Sequence, residues 1–156
     1  MRVDARLQFG DAVTGISAAS TNTLRGDVID LGESGGDPVG GAANPMQLVI
    51  VITTAFVSAN NNPTVFELAS DAQAAIAVDG TATEHILTES YLPADLPAGR
   101  RLVYNLPPQN DAKPYERFLG VIQRVGAGAS GVTAGAFSAF LSRDVASWKA
   151  YPDAVN

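Results

Sequence analysis

The longest unbroken apolar signal runs from Met46 to Phe56, MQLVIVITTAF, without a charge, a glycine or a proline. Val49, Ile50, Val51, Ile52, Thr53 and Thr54 are consecutive β-branched residues, whose restricted χ1 suits a pleated strand better than a helix. Period two places Met46, Leu48, Ile50, Ile52, Thr54 and Phe56 on one face and Gln47, Val49, Val51, Thr53 and Ala55 on the other. Both faces are apolar in the middle, which predicts a strand covered on both sides. One cover would be a second sheet, and the other a loop or a neighbouring subunit.

The rest of the chain alternates in shorter pieces. Strands are predicted over Val3–Phe9, Leu24–Leu31 (weakened by Gly26), Thr64–Ser70, Thr83–Glu89, Arg100–Leu106, Tyr115–Val125 and Thr133–Ser142. Gly120 suggests a bulge in its strand. Gly10-Asp11, Ala59–Pro63, Asp79-Gly80 and Gly126–Gly131 read as turns. The Ala-rich segment 71–80 fits either a helical turn or a short strand. A glycine-rich loop spans Gly32–Pro45, and Tyr91–Gly99 and Pro107–Pro114 are proline-punctuated connections. The sum is an all-β sandwich or barrel of about eight strands. No period repeats, which argues against a propeller or solenoid.

Composition narrows the function. The 156 residues suit one domain, and 46% are apolar, an ordinary share. Only 17% are charged, against roughly a quarter in average domains. Small polar residues must cover the surface, as suits broad contact between chains. Net charge is −6, which disfavours nucleic acid and anionic membranes as partners. The absence of cysteine rules out disulfides, zinc-thiolate sites and thiol chemistry. The N-terminal MRVDARLQF lacks the apolar core of a signal peptide, and no apolar run reaches membrane-span length. Synthesis and folding in a cytoplasm are expected.

Candidate chemistry is sparse. His85 is the single histidine, and a triad or a zinc site needs several groups. Gly126, Gly128 and Gly131 match G-x-G-x-x-G, but a strand rather than a helix is predicted after them, which removes the pyrophosphate site. Asp27, Asp30, Glu33 and Asp37 are oxygen ligands of the kind calcium takes, without EF-hand spacing; a solvated acidic loop explains them. Glu67, Asp71, Glu84 and Glu89 could supply a glycosidase carboxylate pair, but nothing in the sequence places two together, and exposed strand faces are the expectation. No enzyme, cofactor or metal is expected. Trp148 and Tyr151 lie in the tail Arg143–Asn156, which cannot bury them within itself. They dock either on the sandwich or on a partner.

Four stretches carry a resemblance: Val3–Asp11 (VDARLQFGD) with Asp27–Gly32 (DVIDLG), Leu96–Val103 (LPAGRRLV), Tyr115–Ile122 (YERFLGVI) and Thr133–Leu141 (TAGAFSAFL). In order and spacing the chain resembles the capsid cement, or decoration, proteins of tailed bacteriophages, of the Bordetella-phage cement type. The resemblance implies a jelly-roll domain over 1–144 with a docking tail over 145–156. It further implies a dimer or trimer on the outer surface of the virion head, bound to the major capsid protein. It brings no catalytic residue. The expected contact residues are Arg2, Asp37, Arg143, Trp148 and Tyr151, in the N-terminal arm, the 32–45 loop and the tail. The competing expectation is a carbohydrate-binding jelly roll of a virion adhesion protein, for which Tyr91, Tyr104 and Tyr115 are the available rings.

Overall fold

The computed structural model describes residues 7–15, 21–33, 46–108, 112–126 and 131–143. Eight strands follow one another: β1 Gln8–Thr14, β2 Asn22–Asp30, β3 Gln47–Val57, β4 Thr64–Asp71, β5 Thr83–Leu87, β6 Arg101–Asn105, β7 Phe118–Val125 and β8 Ala134–Ser142. A 3-10 turn, Pro93–Asp95, lies in the connection between β5 and β6.

The strands form two four-stranded sheets, ordered β1-β8-β3-β6 and β2-β7-β4-β5, and every pairing is antiparallel. β4 pairs with β5, β3 with β6, β2 with β7 and β1 with β8. The chain is thus a long ribbon doubled back on itself and rolled, with β3–β8 and β4–β7 pairings closing the roll. This is the jelly-roll order.

The core lies between the sheets. Leu48, Ile50, Ile52 and Phe56 of β3 meet Phe66 and Leu68 of β4, Leu119 and Val121 of β7, and Phe137, Ala139 and Leu141 of β8. Phe66 bridges the layers edge-on, 5.0 Å from Phe137 and 6.2 Å from Phe56 between ring centroids. The second face of β3 is also covered: Val49 and Val51 are buried with Phe140 of β8 on the outward side of their sheet. The two-sided apolar pattern of Met46–Phe56 therefore has the predicted consequence.

Three expectations are corrected. Gly10-Asp11 does not turn the chain. β1 runs on to Thr14 through register shifts after Gln8 and Gly10, with Ala12 at positive φ and its amide donating to Ser138 Oγ. Gly120 is not a bulge. Its strand pairs with β4 in unbroken register, and the irregularity falls on β2 between Arg25 and Ile29. Gly120 instead leaves room for Ile76, whose Cδ1 would lie 2.6 Å from an added Cβ. Tyr115–Arg117 precede the strand rather than belonging to it.

Segment 72–82 is neither helix nor strand. It straps the outer face of the second sheet, where Ile76 is buried with Ala69 and Ile122 beside Leu24, Val28, Val78 and Phe118. Asp71 anchors the strap by accepting the amides of Gln73 and Ala77, each at 3.1 Å.

Candidate functional site

The described chain carries its chemistry in three polar clusters and a set of exposed apolar side chains. The first cluster is built on the β4–β7–β5 face. Antiparallel register pairs Arg124 of β7 with Val65 and Ile122 with Glu67 of β4, so Glu67 and Arg124 are diagonal neighbours on one face, and Arg124 Nε and Nη2 donate to Glu67 Oε2. Arg124 Nη2 also reaches Glu84 of β5 at 3.7 Å, and Lys113 Nζ lies 4.0 Å from the same carboxylate. Glu67 is 3% exposed. Burial raises its pKa above the usual carboxylate value, and the bond to Arg124 pulls the other way. Exposed strand faces are thus the wrong setting for Glu67, and two of the four candidate acids do converge. Arg124 contacts both, an arrangement that neutralises carboxylates and does not resemble a sugar cleft with opposed acids.

The second cluster surrounds His85. The β4–β5 register slips between Leu68 and Ala69, so His85 is the extra residue of a bulge, which re-aims its side chain. Its Nε2 lies 2.7 Å from Ser70 Oγ. Its ring stacks on Tyr115, 3.9 Å between centroids and 15° between planes. Glu116 N–H donates to Ser70 Oγ at 3.0 Å. A serine–histidine pair is the geometry of an activated nucleophile, but Ser70 is completely buried. Its hydroxyl ties the edge strand to the 112–117 segment. Burial, and after it the Lys113 charge, draw the His85 pKa down to about 4.

The third cluster joins Tyr91 and Tyr104, whose hydroxyls hydrogen-bond. Arg100 lies 5.0 Å over the Tyr91 ring. Burial and the Tyr91 bond push the Tyr104 phenol well above its ordinary range. Tyr91 and Tyr115 are buried in the main core, and Tyr104 packs against it. The three rings therefore present no open platform for a sugar.

The first acidic region also resolves differently from a metal site. Asp30 accepts both Nε and Nη2 of Arg117, each at 3.0 Å, and the Gly32 amide at 2.9 Å. These bonds hold its carboxyl below the usual range. Asp27 and Glu33 are exposed. Among the described residues no group of three or more metal-ligating side chains gathers. After the G-x-G-x-x-G stretch, Thr133 N–H bonds Val57 O and β8 begins at Ala134. A strand follows, as expected.

Of the expected contact residues, Arg143 is exposed directly after β8. Arg2, Asp37, Trp148 and Tyr151 lie outside the described residues, as does most of the tail. Exposed apolar side chains among the described residues are Val57, Leu87, Leu92 and Val103. Sequence reasoning missed Ser70 as the partner of His85 and Arg124 as the link between Glu67 and Glu84. One clue was available for Glu67, which stands within the otherwise apolar run Val65–Ala69.

A search among curated proteins returns no match. A protein-family profile, described as Bbp16, matches residues 7–141, from just before β1 to the penultimate residue of β8. That span takes in both sheets and all three clusters. On this match the chain belongs to the Bbp16 family, a family of Bordetella phage proteins.

Proposed function

We propose that this protein is a capsid cement protein: it binds the outside of an icosahedral phage head and stabilises contacts between major capsid proteins. The observation that carries the reading is the phage-family match across nearly the whole jelly roll. Jelly rolls recur in viral capsid proteins because the fold leaves few unmanaged sheet edges. A surface poor in charge and rich in small polar side chains suits extended contact, and a net charge of −6 keeps the subunit off packaged DNA. The described polar clusters are engaged in holding strands together, which fits a protein that performs no reaction.

In this reading the protein works as a dimer or trimer on the virion surface, with the major capsid protein as its partner. Many copies on a lattice give avidity, so each contact can be weak. Arg143, with Arg2, Asp37, Trp148 and Tyr151, supplies contacts to the shell. The carbohydrate-binding alternative loses its platform where Tyr91 and Tyr115 are buried in the core.

The test is sedimentation of the purified full chain with expanded heads that lack it. Binding at a fixed number of copies per head, with a higher temperature of head disruption, is expected. A chain deleted for residues 145–156 should stay folded and bind more weakly. Full-length protein that stays in the supernatant and leaves head stability unchanged would refute the reading.

A further inference from the structure

We propose that His85 is an acid-sensitive latch: protonation of its ring releases the edge strand β5 and the 112–117 segment while the rest of the sandwich stays folded. The proposal rests on how β5 is held. Among the described residues β5 is the last strand of its sheet and pairs only with β4. At its far end Thr88 exchanges backbone and hydroxyl bonds with Phe66, each at 2.9 Å. At its near end the ladder is interrupted by the bulge before it resumes at Ala69–Glu84 and Ser70–Thr83, and side-chain contacts reinforce it. These are the Ser70–His85 bond, the His85–Tyr115 stack and the bond from Thr83 Oγ1 to Glu116 Oε1 at 2.7 Å.

The hydrogen-bond network favours one charge state of the ring. Glu116 N–H occupies Ser70 Oγ as a donor, and Ser70 has one hydrogen to give. Ser70 Oγ could accept a second hydrogen, but the arrangement that gives every hydrogen of the trio an acceptor sends the hydroxyl hydrogen to His85 Nε2, which then carries a lone pair. The ring is neutral, with its proton on Nδ1, a tautomer assigned from the network. Protonating Nε2 turns this bond around: Ser70 Oγ then accepts from both Nε2 and Glu116 N–H, and its own hydrogen loses the His85 acceptor in a fully buried position.

Among the described residues the groups around the ring do not compensate. From β4 it meets Ser70. From the 112–117 segment it meets the Tyr115 face and the positive charge of Lys113, with Glu116 bonded instead to Thr83. On its own strand, Glu84 is shared between Lys113 and Arg124. The aromatic face alone favours a cation, against burial and Lys113. A ring held near pKa 4 when closed and near 6.5 when open binds its proton preferentially in the open form. The latch is intact above pH 6.5 and weakens steadily as pH falls toward 4.

The experiment is amide hydrogen exchange on the full chain from pH 7 to 4, corrected for intrinsic rates, beside an NMR titration of the His85 ring. The expected result is a His85 midpoint well below 6.5, with protection of residues 83–88 and 112–117 falling at least tenfold while β3, β7 and β8 hold. His85→Gln, whose carbonyl can accept from Ser70 without titrating, should abolish the pH dependence of those two segments. Three results would overturn the latch. They are an ordinary His85 midpoint with unchanged exchange, simultaneous loss of protection in every strand, and a His85→Gln chain that opens in acid as the parent does. The titration needs no variant, so it decides the matter even if His85→Gln fails to fold.

Discussion

Glu67 is buried beneath Arg124, its diagonal neighbour across the β4–β7 ladder, although both side chains point away from the main core. A carboxylate in that position is tolerable only while the guanidinium covers it. Removing one partner of a buried ion pair leaves an uncompensated charge, at a cost of about 3 kcal/mol. Arg124→Ala should lose about that much in urea unfolding at pH 7, and Glu67→Gln distinctly less. The sign with pH follows from the raised pKa. A buried carboxyl is favoured protonated, so the Arg124→Ala deficit should shrink as pH falls toward 4.5, the ordinary glutamate value, and level off below it.

Gly26 brings the edge strands of the two sheets together. Its φ is +73°, and an added Cβ would stand 2.1 Å from the carbonyl oxygen of Phe9. Neither the left-handed backbone nor the contact with a main-chain atom can relax cheaply. Gly26→Ala should destabilise by about 2 kcal/mol or more, read as a lower Tm. Gly32→Ala, where an added Cβ meets nothing within 4 Å, should cost only its backbone strain.

The outward face of β3 should behave as core. Phe140 is buried there with Val49 and Val51, so Phe140→Ala should cost about 3 kcal/mol. Val103, paired with Val49 on the neighbouring strand but 40% exposed, should tolerate Ala within about 0.5 kcal/mol. Equilibrium unfolding of the two variants side by side makes the comparison.

Ile76 is the buried anchor of the 72–82 strap. Ile76→Ala should cost about 2 kcal/mol, and its hydrogen exchange should show lost protection around Ala77 before the strands open. Asp71→Ala removes the acceptor for two strap amides and should loosen the same segment.

These contrasts show where the chain can be read directly. Val49–Thr54 announces a strand because six consecutive β-branched residues leave little choice, and its doubly apolar middle is buried on both faces. The eight-strand count follows from the punctuation by glycine, proline and asparagine. Segment 71–80 is ambiguous in the sequence because no clear apolar period runs through it, and what fixes it is Ile76 meeting Ile122 across a tertiary contact. Gly10 and Gly120 look like a turn and a bulge in isolation. In the fold their missing side chains make room for Val13 and Ile76. The Ser70–His85 and Glu67–Arg124 partners are separated by 15 and 57 residues, and only the register of the sheet brings them together.

The proposed role at the phage head is tested most directly by a cryo-electron microscopy reconstruction of virions carrying the protein. The expected map shows two stacked four-stranded sheets on the outer surface, seated over junctions between major capsid subunits and missing from heads made without the gene. Density for this sandwich in the tail or inside the shell, or a head surface unchanged when the gene is removed, would contradict the cement assignment.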